Sequence, residues 1–338
     1  MFTILLGMLH ALLDALVRFI CANLLFRRRF SVQEIPNLLG RVAIVTGGET
    51  GIGHATCLEL ARRGAKVYLA CRSGSRAEPA IQKIKQLVPN AQLDFITFDL
   101  TILSTAKTAA EEFASRESRL DILINNAGVM GTPYQLSPDG IEVQACNATG
   151  HFALTSHLLP ILKRTASSVP DSHVRIVNVA SMAHLFVSEP KLSSLEGINR
   201  QGDWPMSRYS YSKLNNILFT NELQKRLSNT NIYCLSVHPG FVATEMSKGV
   251  ISHDSTIKNI LLKVLAHIIA SPYKGALTQL YAATSPEVET KRLRAAYLVP
   301  YGQVGRKSHL AMDCDGKLGK EFWYLCENLM QNSEEKQK

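Results

Sequence analysis

The chain has 338 residues, 46% hydrophobic and 19% charged, with 37 Lys and Arg against 28 Asp and Glu and a formal charge of +9. That balance excludes a disordered or collagen-like polymer and supplies ample material for a core; the length suits one large domain or two ordinary ones. Arg27, Arg28 and Arg29 hold part of the positive excess, and no long basic stretch carries interleaved aromatics, so nucleic acid is not an expected partner. The cysteines, seven in all, lack any C-x-x-C pair, which argues against a disulfide scaffold or a zinc site and for a reducing compartment.

Residues 1–26 form an apolar run that ends on Arg27-Arg28-Arg29. Its length matches a membrane-spanning helix, but His10, Asp14 and Arg18 recur every four residues and make one polar stripe. A signal peptide would place its basic residues first and end on a small-residue cleavage site. Residues 1–30 are therefore expected to be a membrane anchor, spanning or lying in the interface, with an amphipathic helix packed on the body as the alternative. Basic residues after the helix would keep the C-terminal domain on the cytosolic side.

From Arg41 the pattern alternates. Short β-branched runs at 41–46, 66–71, 93–98, 121–125, 174–180, 231–237 and 296–299 are separated by helix-length segments. Strands alternating with helices predict βαβ units and an α/β fold, a doubly wound parallel sheet of about seven strands. With no repeat, low-complexity block or Pro/Ser-rich linker, one domain over 40–301 and a C-terminal extension over 302–338 is the simplest account.

Where the first strand gives way to a helix the sequence reads Thr46-Gly47-Gly48-Glu49-Thr50-Gly51-Ile52-Gly53. Glycines there permit a tight turn and close approach of backbone to a pyrophosphate at a helix N-terminus, as in Rossmann-type dinucleotide sites. Farther on stand Asn125-Asn126-Ala127-Gly128, then Asn147, then Ser181 after the fifth strand. Tyr209-Ser210-Tyr211-Ser212-Lys213 and His238-Pro239-Gly240-Phe241-Val242-Ala243-Thr244 follow. Taken in this order, the motifs resemble those of the classical short-chain dehydrogenases/reductases over about residues 40–301. The resemblance implies an NAD(P)-dependent oxidoreductase with Thr46, Gly47, Gly51, Ile52, Gly53, Ala127 and Gly128 around the cofactor. It also implies Asp99 and Leu100 beside the adenine, Asn125 on the adenosine ribose side, and Val242 and Thr244 at the nicotinamide.

At the end of the second strand Cys71 is followed by Arg72, where a carboxylate would suit NAD and a guanidinium suits a 2′-phosphate. NADP is favoured, with NAD possible, because Glu49 stands in the loop where relatives carry a small polar residue. Tyr209 and Lys213 are four apart and share a helix face, so a Lys213 ammonium could lower the tyrosine, whose ordinary pKa is about 10. Tyr211 is two from Lys213 and faces elsewhere. By resemblance, Tyr209 passes the proton, Lys213 also holds the nicotinamide ribose, Ser181 bonds the substrate oxygen and Asn147 seats a water leading to Lys213. Ser181 could instead merely cap the following turn, and Asn147-Ala148-Thr149 matches a glycosylation triplet that a cytosol-facing domain would not use.

The long gap between Ser181 and Tyr209 holds a polar insertion at 192–202, which resembles the branch of retinol dehydrogenase-like, WW-domain-oxidoreductase-like and polyprenol dehydrogenase-like enzymes. That resemblance implies a lipophilic alcohol, aldehyde or ketone substrate, a site at the endoplasmic reticulum or lipid droplet, and a possible homodimer. The apolar stretch 257–270, with Asn259, Lys263 and His267 as its polar stripe, is either a lid over the substrate or a packing helix. Trp323, Tyr324 and Leu325 either close the pocket or pack. The rivals are a cofactor-binding regulator without turnover and a sugar-nucleotide epimerase, whose T-G-x-x-G-x-x-G spacing the chain does not match.

Overall fold

A computed structural model describes residues 30–168, 174–242 and 270–336. The expected anchor over 1–26, Thr244, and nearly all of the apolar stretch 257–270 lie outside these residues. No helix among the described residues is long and apolar enough to cross a membrane.

Each β-branched run becomes a strand: β1 (Val42–Thr46), β2 (Lys66–Cys71), β3 (Leu93–Thr97), β4 (Ile122–Asn125), β5 (Val174–Val179), β6 (Ile232–Val237) and β7 (Tyr297–Val299). A two-residue β8 (Gln303–Val304) adds antiparallel to β7, so the sheet has eight strands in the order β3-β2-β1-β4-β5-β6-β7-β8, the other pairs all parallel. Strands β1, β4, β5 and β6 are buried along their whole length, as a sheet covered on both faces requires.

Helices α1 (Gly51–Arg62), α2 (Gly74–Leu87) and α7 (Pro272–Thr284) cover one face. The other carries α3 (Ser104–Arg116), α4 (Cys146–Ser168), α6 (Pro205–Arg226) and α10 (Lys317–Glu335). Short helices α5 (Leu195–Asn199), α8 (Glu287–Thr290) and α9 (His309–Met312) fill the connections. The chain leaves β1 toward β2 and β3, then returns to place β4 on the other side of β1. This reversal opens a crevice at the carboxyl ends of β1 and β4, the place where open α/β sheets take ligands.

In the C-terminal segment Trp323 and Leu325 pack into the core. Trp323 stands edge-on to Phe152 at 4.8 Å between ring centres, with the Arg226 guanidinium 4.1 Å over its ring, and its Nε1 donates to Glu327. Leu325 is buried and Tyr324 exposed. The insertion at 192–202 is equally well seated. Leu192 and Ile198 are buried, and Asn199 donates to the Gly140 carbonyl while accepting from Glu142 N–H. Phe322 is fully buried in the same core as Phe152 and Phe219. Phe322→Ala should lower unfolding free energy by about 3–5 kcal/mol in urea titrations.

Candidate active site

The glycine turn begins where β1 ends. Gly47 and Gly51 take left-handed φ values of +64° and +55°, which side-chain-bearing residues rarely adopt. A Cβ on Gly53 would lie 2.1 Å from the Gly47 carbonyl oxygen, so the first turn of α1 rests directly on the loop. Thr50, at the N-cap, makes no side-chain bond to the first-turn amides, leaving them for an anion. The crevice thus has the cradle that a dinucleotide pyrophosphate needs. Ile52 and Val242 meet over Gly275 of α7, where a Cβ would lie 2.6 Å from Val242 and 3.3 Å from Ile52.

A single hydroxyl joins β1 to β4. Thr46 Oγ1 accepts from the Asn126 and Ala127 N–H groups at 2.8 and 2.9 Å, while Asn126 Nδ2 donates back to the Thr46 carbonyl. With its acceptor sites taken, Thr46 donates its proton to His151 Nε2 at 2.8 Å. His151 Nδ1 then carries the other proton and donates to the Asn147 carbonyl at 2.9 Å. This buried imidazole, held down to about 3 by burial and then by the Lys213 charge, joins the cofactor turn to the start of α4.

Asn125 is buried and spends both amide protons on Thr155 and Asn178, and half-buried Asp99 accepts from the Thr101 N–H and hydroxyl to shape the turn after β3. Leu100 is buried, its carbonyl pressed so close to α4 that a Cβ on Gly150 would lie 2.2 Å away.

Ser181, two residues past β5, accepts from Ala183 N–H and so caps its turn, and its hydroxyl lies close enough to the Tyr209 phenol to favour the phenolate. Tyr209 and Lys213 stand one turn apart on α6, Lys213 Nζ 5.5 Å from the tyrosine ring centre and donating to the Val179 carbonyl. Asn147 Oδ1 accepts from Val129 N–H, and its Nδ2 donates to the Val129 carbonyl and to Ser212. Gly128 lies against both side chains: a Cβ there would sit 3.0 Å from Asn147 Oδ1 and 3.8 Å from Lys213 Nζ. Tyr211 faces the other way, stacked under Arg200 at 3.5 Å. Asn147 is fully buried, so its glycosylation triplet is inaccessible.

The electrostatics differ from the sequence expectation. Burial pushes the Tyr209 phenol up to about 12, with the Ser181 bond opposing, and the same burial drops Lys213 to about 7. Lys213 stands near enough to help but is itself desolvated, so burial governs both groups.

Several buried groups around this cluster carried no sequence signal. Arg208, adjacent to Tyr209, pairs with buried Glu142 at 3.2 Å, while Glu142 Oε2 accepts from the Gln144 and Ala145 amides and caps α4. His184 donates from Nδ1 to the Ser181 carbonyl and accepts from Ser308 N–H, tying the C-terminal segment to the serine loop. Only the helical spacing of His151 from Asn147, and the adjacency of Arg208 to Tyr209, could have drawn notice.

His151 and His238 both sit at about 3, against 6.5 when solvated. Groups whose folded pKa is depressed contribute stability that is fully present above the unfolded pKa and lost as pH falls toward the folded one. The urea midpoint should therefore fall steadily as pH drops below about 6.5, and His151→Gln should flatten that slope. At neutral pH, His151→Phe should cost about 1–3 kcal/mol by removing the imidazole that accepts from the buried Thr46 hydroxyl.

Residues 41–255 match the family model described as short chain dehydrogenase. An uncharacterized oxidoreductase of Schizosaccharomyces pombe is 38% identical over 283 residues, covering 82% of each chain. Retinol dehydrogenase 12 of Mus musculus is 39% identical over 257 residues, 76% of each chain. A crystal structure of an uncharacterized protein from Mycobacterium paratuberculosis superposes with a TM-score of 0.65 at 32% identity, covering 90% of this chain and 98% of that one. The fold, the ordered motifs and these likenesses agree: the chain belongs to the short-chain dehydrogenase/reductase family, with relatives in its retinol dehydrogenase-like branch, and is an NAD(P)-dependent oxidoreductase.

Proposed function

We propose that the protein is an NADP-preferring reductase of lipophilic aldehydes or ketones, with Tyr209 as its proton donor. The observation that carries this is the convergence of Tyr209, Ser181, Lys213 and Asn147 beside Gly128 at the carboxyl edge of the sheet. A bound nicotinamide cofactor supplies or accepts the hydride. Ser181 orients the substrate oxygen toward the Tyr209 hydroxyl. A water held between Asn147 and Lys213 would return a proton from solvent. A phenol pushed up to about 12 by burial is protonated at neutral pH, so Tyr209 holds the proton that a carbonyl oxygen must receive in reduction.

The apolar preference is supported by side chains near the cluster. Leu185 and Phe186 follow Ser181, Trp204 and Met206 precede Tyr209 by about one turn, and Phe241 stands edge-on to His238. All five are exposed. The likeness to mouse retinol dehydrogenase 12 points the same way. Arg72, exposed at the end of β2 and without an ion-pair partner among the described residues, supports NADP. Residues 1–26 would hold the catalytic domain at a membrane on its cytosolic side.

NADPH oxidation by the detergent-solubilised chain against a panel of lipophilic aldehydes and ketones tests the reading. Turnover should appear and fall by about 10²-fold or more in Tyr209→Phe. NADPH binding with no turnover on any member would favour a cofactor-bound regulator. Reduction should stay flat through neutral pH, whereas oxidation of the matching alcohol should climb about tenfold per pH unit while Tyr209 remains protonated. Deletion of residues 1–30 should release the protein from the membrane fraction; full retention would refute the anchor.

A further inference from the structure

Glu49 is out of place at the adenosine end of the crevice. Its side chain is 9% exposed, and Oε1 accepts from Arg76 Nε at 3.1 Å across the space between the glycine turn and the first turn of α2. Its other oxygen, Oε2, is buried and has no hydrogen-bond partner. Leaving a carboxylate oxygen unsatisfied is costly, and a bound molecule that donates to it would recover that cost. Burial raises the Cys71 thiol first; Glu49 raises it further while Arg76 and Arg72 lower it, so all three charges act at the end of β2. In a dinucleotide site this is where the adenosine ribose lies, carrying either two hydroxyls or a 2′-phosphate.

The two cofactors make opposite demands here. Ribose hydroxyls donate hydrogen bonds and can satisfy Oε2 while the Glu49–Arg76 pair stays closed. A 2′-phosphate only accepts, repels Glu49 and competes with it for Arg76. We propose that Glu49 is a specificity-determining residue that holds Arg76 away from the 2′-phosphate and offers Oε2 to an unphosphorylated ribose, so that it narrows the preference that Arg72 and Arg76 give for NADPH over NADH. This rests on the NADP preference inferred above and deepens it. Arg72 attracts the phosphate without competition; Arg76 is shared.

The test is the ratio of dissociation constants for NADH and NADPH, read by quenching of protein fluorescence with the full chain in detergent. Glu49→Gln should move the ratio toward NADPH by about tenfold. Arg76→Gln should move it toward NADH, and by more when Glu49 is present than in the Glu49→Gln background, because an unpaired carboxylate then faces the phosphate. Arg76 is half exposed on α2, so its variant serves if Glu49→Gln misfolds. A ratio unchanged in Glu49→Gln, or moved toward NADH, overturns the proposal whatever the wild type prefers, as does equal weakening of both cofactors in Arg76→Gln. A wild type that binds NADH more tightly, yet shifts toward NADPH in Glu49→Gln, sinks the NADP reading and leaves the role of Glu49 standing.

Discussion

The site depends on how closely the ends of β1 and β4 can be brought together. The reversal of strand order leaves their carboxyl ends with no connecting helix above them, and something must hold the gap at a fixed width. The Thr46 hydroxyl does so, collecting two amides from the β4 side and passing its proton to His151. Because an interior this densely packed cannot deform gradually, this junction fixes Ala127 against Gly47 and Gly128 against Asn147 in the first turn of α4. The lysine and the tyrosine then inherit their positions from α6, which the Arg208–Glu142 pair binds to the same turn of α4.

Burial does two jobs in such a site. It keeps water from the reacting atoms, and it raises the cost of any charge placed there. The phenol and the ammonium each respond by favouring their neutral forms, so the pair is set by its surroundings more than by its members' attraction. Sequence spacing alone suggests the reverse, since it shows which groups are neighbours but not how dry the space between them is.

Much of the architecture was legible in the chain. Seven β-branched runs fell on seven strands because strands buried on both faces must be continuously apolar. β8 was not legible, since two residues, Gln303 and Val304, carry no pattern and gain their pairing only from the turn that brings them back to β7. Trp323 could be read as apolar but not assigned a neighbour, because helical period gives a face and not what it meets. The site motifs were legible where chemistry needs local spacing, as at Gly51 to Gly53 or Tyr209 to Lys213. Glu142 and His184 were invisible because partners of theirs lie far off in the sequence, as 142 to 208 and 184 to 308 show. For Asn125 the structure reveals side-chain bonds directed into the protein, and for Asp99 bonds within its own turn, that a motif cannot disclose.

The packing of α10 carries a consequence for biosynthesis. Phe322 and Trp323 close the core against α4 and α6, whose own residues left the ribosome more than a hundred positions earlier in the case of Phe152. Until that last helix emerges, one face of the sheet's helical layer presents uncovered aromatic surface to the cell. A nascent chain in that state invites chaperones or self-association.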